Sequence, residues 1–184
     1  MSIAVIKKEN DIYTIGTDCA WFREHIDLLD TIHTPYAKLR KFESNDHVNL
    51  YIASVGKQRD MSILFDVVIP DKINKGELKI KNYSMTDIYN LFVDYKLKAK
   101  EIFVKDGYDA DDTLYIIAFN NKAYVYEEGG IVQIDDYFAI GSGDSYAFGA
   151  LYNGATVTQA IYTACHFCST CSILDTAPIV MEVR

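Results

Sequence analysis

The chain has 184 residues, about half of them hydrophobic and 24% charged, a balance that predicts a folded globular chain of one domain over residues 1–184. Lys and Arg total 18 against 26 Asp and Glu, a net charge of −8 that excludes nucleic-acid binding by phosphate neutralisation, which needs a basic face. No run approaches 18 uninterrupted apolar residues, so no membrane-spanning helix is expected and the chain reads as soluble and cytoplasmic.

The first elements read as a β-hairpin. Ser2–Lys7 and Ile12–Gly16 are short apolar runs flanking the polar Glu9-Asn10-Asp11. The opening run turns polar at Lys7 and has no basic segment before it, unlike a signal peptide. Leu39–Phe42 and Val48–Val55 predict further strands. From Asp60, the apolar Met61, Ile63, Leu64 and Val67 recur at helical spacing. Ser84-Met-Thr-Asp87 has capping-box form, with Asp in place of Glu or Gln, and opens a helix whose apolar face holds Ile88, Leu91, Phe92, Tyr95 and Ala99.

A second block of strands follows at Thr113–Phe119, Ala123–Glu127 and Ile131–Ile134, separated by turn signals at Asn120-Asn121 and Gly129-Gly130. A third helix is expected over Ser145–Tyr152. Thr156 with Gln159 forms a second capping box, opening a long helix to about Leu174; Pro178 stops it before a last strand at Ile179–Val183. Strand runs and helix runs segregate, which predicts an α+β fold with helices on both outer faces of a two-sheet sandwich. The 14 Tyr suggest surfaces that are part buried and part wet, as in an oligomer, or simple compositional drift.

Of the four Cys, Cys165, Cys168 and Cys171 form a Cys-x-x-Cys-x-x-Cys series beside His166. Such spacing can hold zinc or an iron–sulfur cluster, but on a continuous helix three-residue steps put the sulfurs along one stripe. The expectation is buried free thiols, with no metal and no cofactor. Cys19, beside Asp18, is a candidate reactive thiol with no His next to it.

The segment AIGSGDSYAFGAL at 139–151, followed by a helix rich in small residues, resembles the corresponding region of proteasome β subunits and of HslV-type bacterial peptidases. Those are N-terminal nucleophile (Ntn) hydrolases with a four-layer αββα sandwich. The resemblance runs in order through nearly the whole chain, including a Gly-x-x-x-Asp at Gly56–Asp60. It implies a nucleophile at Ser2 in place of the usual Thr, with 17 residues matching without a gap so that the family's Asp falls on Asp18. The family's Lys best matches Lys38, Gly56 matches the glycine whose amide faces the oxyanion, and Ser142 matches the serine near the nucleophile's amine. Two positions depart: Thr170 stands where the family usually has an Asp, with Asp175 the nearest carboxylate, and Phe22 stands where a Thr often binds substrate backbone.

An N-terminal hydroxyl carries its own base, because an α-amine of pKa near 7.7–8 is partly neutral at pH 7. Met1 must be trimmed to expose it, as a small second residue favours. Lys38 would lower the amine's pKa and Asp18 would hold Lys38. The plainer readings are a turn-making Asp18, a solvated basic face of Lys38, Arg40 and Lys41, and Gly141 and Gly143 serving only close strand–helix packing. The resemblance thus implies a peptidase subunit acting on peptide or unfolded-protein substrate in a homo-oligomeric ring, with an ATP-dependent unfoldase as possible partner. The rivals are a catalytically inactive ring-forming subunit and a small-molecule amidase.

Overall fold

Asn10 and Asp11 take φ values of 50° and 62°, the left-handed pair that a two-residue hairpin turn needs and that Asn and Asp tolerate. Strand β1 (Ile3–Glu9) therefore folds back on β2 (Ile12–Thr17) with Glu9 opposite Ile12. The computed structural model describes residues 2–19, 21–25, 28–32, 38–103, 112–173 and 177–184. After β2 come the paired strands β3 (Trp21–His25) and β4 (Leu28–Ile32), then β5 (Leu39–Glu43) and β6 (Asn49–Val55). Helices α1 (Gln58–Ser62) and α2 (Ile69–Asn74) flank a π-helical stretch (Ile63–Val68), and a long α3 (Met85–Ile102) follows. Strands β7 (Leu114–Phe119), β8 (Lys122–Glu127) and β9 (Gly130–Ile134) turn at Asn120-Asn121 and Glu128-Gly129, again with positive φ. Strand β10 (Tyr137–Gly141), α4 (Asp144–Tyr152), α5 (Val157–Phe167) and β11 (Ile179–Glu182) complete the order.

The strands form two antiparallel sheets, β10-β1-β2-β11 and β5-β6-β7-β8-β9, besides the β3-β4 pair. Alternation decides what each face meets. Ala4, Ile6, Tyr13 and Ile15 point from the first sheet onto Tyr51, Ala53, Ile116 and Ala118 of the second. Ile3 and Val5 point the other way, onto Val157, Ala160, Ile161 and Ala164 of α5. Leu50, Ile52, Tyr115 and Ile117 pack under Leu64, Phe65, Ile88 and Phe92. Three apolar interfaces between helix, sheet, sheet and helix make the expected four-layer αββα sandwich. Each buried Ile, Leu or Phe contributes roughly 1.5–3 kcal/mol. Both capping boxes form: Asp87 N–H donates to Ser84 Oγ at 3.3 Å and Gln159 N–H to Thr156 Oγ1 at 3.3 Å.

Several expectations are corrected. The helix expected from Asp60 begins at Gln58, and its register slips: Val68 is buried while Val67 is exposed. The π stretch is the cause, since its wider turn shifts which residue faces the sheet. Pro70 at the start of α2 fits that widening, because its ring clashes with the carbonyl four residues back in a regular α-turn. The last helix ends at Phe167, not Leu174. Cys168 is extended (φ −102°, ψ 114°), and Cys171 N–H closes a turn on the Cys168 carbonyl at 3.1 Å. The three cysteines therefore do not form a stripe on one helix. Here Thr170 Oγ1 contacts Ser142 Oγ at 2.6 Å. Strands β3, β4 and β10 were not anticipated. Among the described residues no helix is long and apolar enough to cross a membrane.

Candidate active site

Because Ala4 lies opposite Thr17, the hairpin brings Ser2 at its start beside Asp18 at its end. Two backbone contacts fasten them: Asp18 N–H donates to the Ile3 carbonyl at 3.2 Å, and Ile3 N–H donates to Asp18 Oδ1 at 3.3 Å. Lys38 arrives from the second sheet, one residue before β5. Its carbonyl accepts from both the Ser54 amide (2.9 Å) and the Ser54 hydroxyl (3.1 Å) on β6, which fixes the point from which its side chain reaches across.

Lys38 Nζ donates to Asp18 Oδ1 at 2.8 Å and to Ser2 Oγ. Asp18 Oδ2 accepts the Ser172 amide at 3.2 Å. Ser2, Asp18 and Lys38 are 4%, 0% and 1% exposed, whereas Lys41 is exposed and Arg40 pairs with Asp66 at 2.5 Å. Lys38 is thus no part of a solvated basic face. Burial pushes the Asp18 carboxyl up, against the pull of the Lys38 ammonium. Burial likewise pushes the Lys38 amine down, against the pull of Asp18. Burial thus shifts both groups toward their neutral forms while their mutual attraction opposes the shift.

Ser142 reaches the same corner from β10. Gly141 there has φ 109°, and a Cβ on it would overlap the Ser2 carbonyl oxygen and come within 2.9 Å of Val55. Only glycine lets β10 end against Ser2. Ser142 Oγ then lies 3.5 Å from the Ser2 carbonyl oxygen and 2.6 Å from Thr170 Oγ1. A Cβ on Gly143 would sit 2.8 Å from Cys171 Sγ, so the turn is pressed onto the segment after α5. The expected close-packing role of both glycines and the placing of Ser142 are one feature.

Gly56 follows β6 at φ 143°, one residue beyond the Val55 that borders Gly141. A Cβ on Gly56 would meet Thr113 Oγ1 at 2.6 Å. Thr113 accepts the Lys57 amide at 3.1 Å and donates to the fully buried Asp60 at 2.7 Å, which braces the loop carrying the Gly56 amide. Ser54, Asp60, Thr113 and Ser172 were not singled out as site residues. Asp60 was noted only as a helix start, and the rest act through contacts between distant elements that no spacing advertises. Phe22 lies in β3 opposite Thr31; the side chains of this pair, Met1 and Asp175 fall outside what is described. Among the described residues no group of three or more His, Cys, Asp or Glu is placed to hold a metal ion.

Solved structures share this fold over nearly the whole of this chain. BPH of Thiobacillus denitrificans in complex with epoxomicin has a TM-score of 0.72 at 16% identity, over 99% of both chains. Anbu, an ancestral β-subunit from Yersinia bercovieri, has 0.71 at 12%, over 98% of this chain and 80% of that one. The eukaryotic HslV of Trypanosoma brucei has 0.63 at 14%, over 99% of both. No family model matches the chain. No curated protein sequence matches it. At such identities the likeness is one of fold, and the fold is the proteasome-like one of Ntn hydrolases that the GSG-x-x-YA segment implied.

Proposed function

We propose that the chain is a peptidase subunit that cleaves peptide bonds with Ser2 as an N-terminal nucleophile after removal of Met1. The observation that carries this reading is the hydrogen bond from the buried Lys38 Nζ to Ser2 Oγ, with Asp18 behind it. Lys38 in its neutral form takes the hydroxyl proton as Ser2 Oγ attacks the scissile carbonyl. The oxyanion that forms accepts the Gly56 amide, and the proton passes to the leaving amine, giving an ester on Ser2. Water then hydrolyses the ester, with the freed α-amine of Ser2 or Lys38 as base; Ser142 steadies the end of the chain. The substrate is peptide or unfolded protein, met in the cytoplasm within a self-assembled ring that an ATP-dependent unfoldase would feed.

The test is hydrolysis of fluorogenic peptide amides by protein whose intact mass reports loss of Met1. Ser2→Ala abolishes turnover, Ser2→Thr keeps a measurable part, and epoxomicin, which the Thiobacillus protein binds, inhibits. Turnover that survives Ser2→Ala would sink the proposal. A second reading, an inactive ring-forming subunit, is favoured by Thr170: a neutral hydroxyl contacts Ser142 where the resemblance leads one to expect a carboxylate. It is supported if protein lacking Met1 assembles but neither hydrolyses peptide amides nor acquires an acyl group on Ser2.

A further inference from the structure

The segment after α5 holds two thiols that the peptidase reading does not use. Cys168 and Cys171 bracket a turn closed by the Cys171 N–H to Cys168 carbonyl bond of 3.1 Å. Such a turn keeps its first and fourth Cα within about 7 Å, in or near the range a disulfide spans. Both sulfurs face one oxygen: Cys168 Sγ is 3.6 Å and Cys171 Sγ 3.8 Å from Ser142 Oγ. Cys168 is partly exposed and Cys171 is 4% exposed. The sulfurs are also unlike in acidity. Burial raises Cys168, but hydrogen bonds from Thr170, Ser142 and Cys171 outweigh it and hold the thiol below its ordinary value. Burial pushes Cys171 well up, and holds Cys165 at about 12.

We propose that Cys168 and Cys171 are a reversible dithiol–disulfide pair that exchanges with small-molecule disulfides such as oxidised glutathione, and that its oxidation unseats Ser142 beside Ser2. The Cys168 thiolate attacks one sulfur of the glutathione disulfide, forming a mixed disulfide and releasing a glutathione thiolate. Cys171, giving up its proton to solvent, attacks Cys168 Sγ, closes the internal disulfide and releases the second glutathione. Two protein thiols are oxidised and one disulfide is reduced to two thiols. In the reduced form the one proton of the Cys168 thiol is donated to the Ser142 carbonyl at 3.4 Å, while the Ser142 hydroxyl lies 3.6 Å from the same sulfur. A disulfide sulfur has no proton to donate, so oxidation removes the bond by which Cys168 holds Ser142, and closing the sulfurs to about 2.05 Å pulls on the turn that carries them. The effect on Ser142 as a site residue rests on the peptidase reading; the redox pair does not.

The test equilibrates the full chain in glutathione buffers of rising oxidised fraction, quenches with an alkylating agent and maps the peptides. The expected result is an internal Cys168–Cys171 disulfide, with Cys19 and Cys165 still alkylated. Cys171→Ser stops at a glutathione adduct on Cys168, and Cys168→Ser forms neither adduct nor disulfide at Cys171. Thiols at 168 and 171 that stay alkylatable in the most oxidised buffer, or a disulfide to Cys19 or Cys165, overturn the pair. In parallel, peptide-amide turnover falls on oxidation and returns with dithiothreitol in the parent chain, while the Cys168→Ser, Cys171→Ser double variant does not respond. Turnover indifferent to a mapped 168–171 disulfide overturns the effect on the site alone. No turnover in either redox state overturns the peptidase reading and leaves the pair to be judged on alkylation.

Discussion

A lysine amine held at 1% exposure loses its hydration, and the carboxylate it touches restores only part of what keeps it charged. Burial lowers its pKa first and Asp18 restores part, so Lys38 loses its proton below the ordinary lysine value of about 10.4. The rising limb of a pH–rate profile should therefore lie below that value and follow Lys38. Lys38→Arg, charged at every working pH, should reduce kcat/KM by roughly 10²–10⁴, the usual worth of a general base. An unchanged limb and rate in that variant would remove Lys38 from the proton transfer. Stability carries the same signature. With a depressed folded-state pKa, the unfolded chain binds the extra proton between the two values, so stability rises with pH through that window and falls as pH drops through the folded value. Denaturant midpoints measured across the window should show the slope, and Lys38→Met should flatten it. Ser2, Asp18, Lys38 and Ser142 were legible through the family resemblance, since no spacing within the chain singles them out. Ser54 and Ser172 were not, because each contributes a backbone or hydroxyl contact that exists only once two distant strands have met.

At the scale of elements, the end of β10 and the middle of α4 set two glycines against each other. Gly141→Ala forces a Cβ onto the Ser2 carbonyl oxygen at a φ of 109°. It should destabilise by at least about 1–3 kcal/mol, the range for one strained backbone site, and move Ser142 as well. Gly149 is exposed inside α4 with nothing within 4 Å of an added Cβ. Gly149→Ala should therefore stabilise by about 0.5–1 kcal/mol. Urea midpoints at constant slope check both; a Gly141→Ala protein as stable as its parent would mean that β10 does not press on Ser2 as described. The elements that were read correctly announce themselves locally: Asn10-Asp11 and Asn120-Asn121 as turns, Ser84 with Asp87 and Thr156 with Gln159 as caps. Those misread depend on distant partners. The segment after α5 meets Ser142 of another element through Thr170, and the exposure of Val67 follows from a π turn that helical periodicity does not foresee.

At the scale of the molecule, aromatic content divides between core and surface. Phe92 stacks on Tyr126 at 4.0 Å and contacts Tyr95 and Tyr115, so much of the tyrosine richness belongs to the interior beneath α3. The α4–α5 layer is different. Tyr146, Tyr152, Tyr162 and Phe167 are 44%, 81%, 45% and 61% exposed, and Tyr146 stacks on Phe167 at 5.7 Å. A layer that shows several aromatics to water is a candidate face for a second copy. The net charge of −8 opposes association only within the screening length, about 8 Å at physiological salt. We therefore expect self-association through this layer, weakened by Tyr152→Glu and Phe167→Glu with the protomer still folded. Light scattering at several concentrations reads the geometry too. A closed ring gives one plateau mass, whereas head-to-tail contacts that fail to close give a mass that climbs with concentration. Protomer mass at every concentration would defeat assembly in either form, and a peptidase with its nucleophile at an open chain end would then have no chamber to restrict what reaches it.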